Sequence, residues 1–123
     1  MYVITVCLPY LAVNSVRGGN MSAVALVRKL QDHYEVLACG DAETGARLLA
    51  DGADVIILDL FLPGENGIDF LRDNQTHIPS TVIALTPLLS RYILKTLHCL
   101  GVTSVIRKPC TVDAIMNQLK LPI

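Results

Sequence analysis

A chain of 123 residues is long enough for one domain with a real core and too short for two. Hydrophobic residues make up 52% and mean hydropathy is +0.49, which excludes a disordered chain. The net charge of −1 leaves no basic footprint for nucleic acid and no polybasic surface for anionic lipid, and no apolar run approaches the ~20 residues of a membrane span.

The first stretch, MYVITVCLPYLAV, is apolar but lacks the positively charged lead of an export signal, so it reads as strand. Two registers are open for that strand, Tyr2–Val6 and Leu11–Asn14. A helix is predicted over Met21–Gln31, with Val24, Val27 and Leu30 on one face. Glu35–Ala38 reads as the second strand. The helix Ala42–Ala50 has Asp41 as its N-cap and Glu43 in the first turn, where the helix dipole favours an anion. Val55–Leu58 is the third strand, and Ile68–Arg72 a short helix after it. Thr81–Leu85 is the fourth strand. Leu88–Leu100 is helical, with Leu89, Ile93, Leu97 and Leu100 as its inward stripe and Gly101 closing it. Ser104–Ile106 is the fifth strand, and Thr111 caps a last helix over Thr111–Leu119. Strand and helix alternate five times, which predicts a parallel α/β sheet covered on both faces through right-handed crossovers.

Four cysteines, Cys7, Cys39, Cys99 and Cys110, lie far apart in sequence with no C-x-x-C pair. Neither a zinc site nor a dithiol redox motif is indicated, and four reduced, mostly buried thiols fit a cytoplasmic protein.

In doubly wound sheets, ligands bind beyond the carboxyl ends of the strands. Asp59 ends the third predicted strand, Thr86 the fourth and Lys108 the fifth. Each alone has an ordinary reading: a turn former, a turn residue before Pro87, a surface lysine. In register they make one site for an anionic group. Such a site gives Asp59 a purpose, since an isolated buried carboxylate is costly.

ILDLFLPGENG with Asp59, Pro63 and Gly67, VIALTP with Thr86, and VIRKPC with Lys108–Pro109 occur in that order with helices between them. In these motifs, and over nearly its whole length, the chain resembles the receiver domain of bacterial two-component response regulators. The resemblance implies a single receiver-like domain over residues 1–123 with the flavodoxin-like (βα)5 fold and strand order 2-1-3-4-5. It implies that Asp59 is the phospho-acceptor, attacking the phosphohistidine of a histidine kinase or phosphotransfer protein. Thr86 matches the hydroxyl that hydrogen-bonds the phosphoryl group, and Lys108 the lysine that pairs with it as a point charge. The Lys108–Pro109 bond is cis in most relatives. Asp59 and the backbone carbonyl of Phe61 match Mg²⁺ ligands.

Two departures from that pattern stand out. Relatives carry two adjacent acids after strand 1, whereas this chain has no acid before Asp32. The first register puts Cys7 and Leu8 in those places, the second Asn14 and Ser15. Mg²⁺ wants hard oxygen ligands with at least one or two carboxylates, so binding is expected to be weak. Phosphorylation, which relies on cationic neutralisation of the moving phosphoryl group, is then expected to be slow or absent. An Asp59–Lys108 ion pair, free of neighbouring acids, is expected to hold the domain in one state. The second departure is Val105, which stands where relatives carry the aromatic of the conformational switch. Tyr92 reads as a half-buried packing residue rather than a substitute.

These residues describe an atypical receiver, not an enzyme, that acts by presenting a surface. Relatives dimerise or dock through helix 4, strand 5 and helix 5, and Leu88, Tyr92 and Leu94 lie off the inward stripe of helix 4. The stretch LTPLLSRYILKTL is similar to receivers of sporulation-type transcription regulators. Any DNA contact is expected only through a separate output domain, and no membrane contact is expected. The alternatives are a conventional phospho-switch with unconventional metal ligands and a small phosphatase with Asp59 as nucleophile. The phosphatase needs a second acid close by, which Leu60 and Phe61 do not supply. No phosphate-binding glycine loop is present, and with no Trp and 5% aromatics a flavin carrier has little support.

Overall fold

A computed structural model describes residues 3–7, 23–62 and 65–119. Five parallel strands form one sheet: β1 Val3–Cys7, β2 Glu35–Cys39, β3 Val55–Asp59, β4 Thr81–Thr86 and β5 Ser104–Arg107. Their spatial order is β2-β1-β3-β4-β5, the 2-1-3-4-5 order of the flavodoxin-like fold. Five helices connect them: α1 Ala23–Gln31, α2 Ala42–Ala50, α3 Gly67–Asp73, α4 Arg91–Cys99 and α5 Val112–Gln118.

β-Branched and leucine runs fill the central strands because both faces are covered. Along β3, Val55 and Ile57 face a cluster with Leu26 and Leu30 of α1 and Ile115 of α5. Ile56 and Leu58 face the opposite cluster with Leu49 of α2, Phe70 and Leu71 of α3 and Leu97 of α4. The same alternation runs through β4, with Ile83 and Leu85 on the first side and Val82 and Ala84 on the second. Burying one such side chain contributes about 1.5–3 kcal/mol, so the two faces together supply the driving force for the fold.

The first strand takes the earlier of the two open registers. Val3–Cys7 pairs with β2 on one side and β3 on the other, which places Cys7 at the carboxyl edge beside Leu58. Leu8, Asn14, Ser15 and Pro63 lie outside the described residues. The α1 stripe is corrected too: Leu26 and Leu30 are fully buried, with Val27 packed against them, and Leu26 takes the place expected of Val24.

The caps follow the sequence chemistry. The Asp41 carboxylate accepts from the Thr44 N–H at 2.8 Å and from the Thr44 hydroxyl at 3.2 Å, and these bonds hold its carboxyl below the ordinary carboxylate range. The Thr111 hydroxyl accepts from the Ala114 N–H. Gly101 follows the end of α4 with φ +89°, a conformation that favours glycine. Helix α4 begins later than expected because the Ser90 hydroxyl caps it by accepting from the Ile93 N–H. Leu88 and Leu89 therefore precede the helix. Leu89, expected on the inward stripe, is 42% exposed.

Candidate functional site

Asp59 is the last residue of β3 and is 1% exposed. The chain turns back immediately after it. The Leu60 N–H donates to the Leu85 carbonyl of β4, and the Gly67 N–H donates to the Leu60 carbonyl at 2.7 Å. A short antiparallel ribbon, Phe61–Leu62 with Glu65–Asn66, closes the turn, and the Asn66 side chain caps α3 by accepting from the Ile68 N–H. Gly67 permits this fold-back, since a Cβ there would sit 2.5 Å from Leu60 Cα.

The turn aims one backbone donor at the carboxylate: the Phe61 N–H donates to Asp59 Oδ1 at 2.9 Å. The other oxygen faces Lys108, whose Nζ lies 2.5 Å from Asp59 Oδ2. Lys108 arrives from beyond β5, where its own N–H donates to the Thr86 carbonyl at 2.9 Å. Its side chain is one-third exposed, so the pair is buried on the carboxylate side and partly open to water on the lysine side. The Lys108–Pro109 bond is cis. Cys110 follows, and burial pushes its thiol up, with Lys108 opposing that shift and Asp59 adding to it.

The structure thus brings Asp59, Lys108 and Thr86 to one edge of the sheet, with a difference at Thr86. Its hydroxyl donates to the Leu88 carbonyl and accepts from the Leu88 N–H, both at 3.1 Å. This side-chain turn around Pro87 engages the hydroxyl locally. Val105 pairs with Ala84 and packs against the α2–α3–α4 cluster. Leu88, Tyr92 and Leu94 are exposed, by 58%, 77% and 43%. Tyr92 is therefore not the half-buried packing residue expected. Sequence reasoning also missed the exposed Phe61 ring; its place directly after the sheet edge was the available signal.

Among the described residues, the donors gathered around Asp59 are a poor match for Mg²⁺. Both Asp59 oxygens already accept hydrogen bonds. Among the described residues no three His, Cys, Asp or Glu side chains gather as a metal set. Hard cations need more oxygen ligands than the described residues gather there.

Comparisons with known proteins agree with this fold. Residues 19–120 match the family model of the response regulator receiver domain. The transcriptional regulatory protein CpxR of Klebsiella pneumoniae is 40% identical over 65 residues, covering 50% of this chain and only 28% of that relative. Among solved structures, a CheY-like receiver domain protein from Methanospirillum hungatei superposes with TM-score 0.81 at 18% identity, covering 98% of this chain and 91% of the other. A response regulator from Burkholderia pseudomallei, solved with a phosphorylated aspartic acid, calcium ion and citrate, superposes with TM-score 0.78 at 20% identity, covering 98% and 67%.

Proposed function

The chain belongs to the response regulator receiver domain family of two-component signalling, and on that premise we propose that it is an atypical receiver in which phosphorylation of Asp59 is weak or absent. Receiver domains as a class are signalling modules that bind Mg²⁺ and exchange phosphoryl groups with histidine kinases or phosphotransfer proteins. The observation that carries the reading is the occupancy of the Asp59 carboxylate. Oδ2 holds the Lys108 ammonium and Oδ1 the Phe61 N–H, with no second acid on the neighbouring strand end.

Phosphoryl transfer to a carboxylate depends on cations that neutralise the equatorial oxygens. Among the described residues Lys108 is the cation brought to Asp59, and it already neutralises the acceptor. The Thr86 hydroxyl must leave Leu88 before it can meet a phosphoryl oxygen. Val105 stands where relatives carry the aromatic that follows it. Each feature favours a single resting state. The domain then acts in the cytoplasm by presenting the face of α4, β5 and α5 to a partner, a second copy included, and DNA is reached only through a separate output domain.

Incubation with acetyl phosphate and Mg²⁺ followed by intact mass measurement tests this. The expected spectrum is unchanged protein. A gain of one phosphoryl group that disappears in Asp59→Asn would instead establish a conventional switch with unconventional ligands, and steady release of inorganic phosphate from aryl phosphates would favour a phosphatase.

A further inference from the structure

Asn66 and Gly67 are the chain's one Asn–Gly pair, and they sit in the turn behind Asp59. The side-chain amide of an asparagine can be attacked by the backbone nitrogen of the next residue, and glycine offers that nitrogen with no Cβ to shield it. In this turn both reacting groups are engaged. The Gly67 N–H donates to the Leu60 carbonyl at 2.7 Å. Asn66 Oδ1 accepts from the Ile68 N–H, also at 2.7 Å, with the Asn66 backbone extended at φ −77° and ψ 133°. Ring closure needs the Gly67 nitrogen to eclipse the Asn66 Cβ, and a ψ of 133° holds it away. Gly67 cannot swing into that position while the turn is closed, because it is buried hard against the Leu60 backbone. The Asn66 side chain is nevertheless exposed, so water reaches it.

We propose that Asn66 is a deamidation site locked by this turn: it reacts only when the Gly67–Leu60 hydrogen bond opens, and an isoaspartate formed there keeps the turn from reclosing beneath Asp59. Hydroxide removes the Gly67 amide proton, and the nitrogen attacks Asn66 Cγ. The N–Cγ bond forms and the Cγ–Nδ2 bond breaks. The leaving nitrogen takes a proton from water and departs as ammonia, which returns the hydroxide. Water then opens the cyclic imide at either carbonyl, giving aspartate or isoaspartate. One water enters, one ammonia leaves, and nothing is oxidised or reduced. The aspartate product keeps an oxygen in place to cap α3. The isoaspartate product routes the chain through Cβ, which lengthens the backbone between Asn66 and Gly67. Asn66 pairs with Phe61, whose N–H donates to Asp59 Oδ1, so the displacement falls on the residue that holds the carboxylate. This chemistry does not depend on whether Asp59 accepts a phosphoryl group.

The test incubates the full chain at mildly alkaline pH, folded and in urea, each normalised to an Asn–Gly model peptide in the same solvent. Trypsin cuts after Arg47 and Arg72, and Asn66 is the one amide side chain on peptide 48–72. The mass gain of an amide turned to acid on that peptide therefore reports this residue. Deamidation should be at least ~10-fold slower in the folded chain, since it must wait for a local opening. Hydrogen exchange at the Gly67 amide needs the same proton to leave the same nitrogen, so deamidation should be slowed at least as much as that exchange. Aspartate and isoaspartate chains made in urea, separated and refolded, should differ: the first keeps the native Phe61 amide resonance and the second loses it. Deamidation of the folded chain at the rate seen in urea, or slowed less than exchange at Gly67, overturns the proposal. So does an isoaspartate chain that refolds with the native Phe61 resonance.

Discussion

Asp59 and Lys108 are unequal partners. The carboxylate is almost fully enclosed while the lysine side chain keeps a third of its surface in water. Removing one member of a fully buried pair costs about 3–5 kcal/mol because the other is left uncompensated, whereas exposed pairs contribute little. Lys108→Ala should therefore destabilise the domain by an intermediate amount, on the order of 1–3 kcal/mol in urea unfolding. The double variant Asp59→Asn, Lys108→Ala should be more stable than Lys108→Ala alone, since it removes the stranded charge. Double-mutant cycles by chemical denaturation check both. That these two residues meet was legible in the sequence, because both fall at carboxyl ends of predicted strands. The state of Thr86 was not. Its hydroxyl bonds to Leu88 through a turn around Pro87, and nothing in residue type separates a hydroxyl facing a ligand from one closing its own turn.

At the scale of elements, the five strands and five helices were readable from periodicity and caps, and the errors have physical causes. Two apolar runs competed for the first strand, and propensity could not choose between them; pairing of Val3–Cys7 with both neighbours decides it. Helix α4 starts three residues later than expected because the hydroxyl of Ser90 outcompetes continuation of the apolar pattern into Leu88 and Leu89. The ribbon after Asp59 escaped notice because two-residue strands have no periodicity, yet it is pinned by Gly67. A Cβ at that position meets the Leu60 backbone, which cannot move aside as a flexible side chain can. Gly67→Ala should lower stability by about 1–3 kcal/mol or more and disturb the Phe61 N–H bond to Asp59, measured by urea unfolding and the Phe61 amide resonance. Helix α2 offers a pH test. Its cap Asp41 has a lowered folded pKa, so the cap's stabilising contribution is complete above the ordinary value near 3.8 and fades as pH falls through the lower folded value. Asp41→Ala should reduce the thermal midpoint at pH 7, and the gap from the parent should narrow below about pH 4.

At the scale of the whole molecule, the sheet sets two distinct surfaces. One is the carboxyl edge, where Asp59 and Lys108 are mutually satisfied. The other is the flank of α4, where Leu88, Leu89, Tyr92 and Leu94 are all exposed within one short stretch of chain. Single exposed apolar residues are ordinary, but four neighbours in sequence concentrate apolar surface where a monomer gains nothing from it. If output runs through this face without phosphorylation, association should be constitutive. Sedimentation should then detect a dimer whose population rises with protein concentration and is unchanged by acetyl phosphate and Mg²⁺. Leu94→Asp should abolish that dimer. Leu94 is 43% exposed, so the substitution should shift folding stability by no more than about 0.5 kcal/mol, and loss of the dimer with an unchanged circular dichroism spectrum would be a surface effect. A wild-type chain that stays monomeric at every concentration, or a Leu94→Asp chain that dimerises as well as its parent, would remove this flank as the means of output.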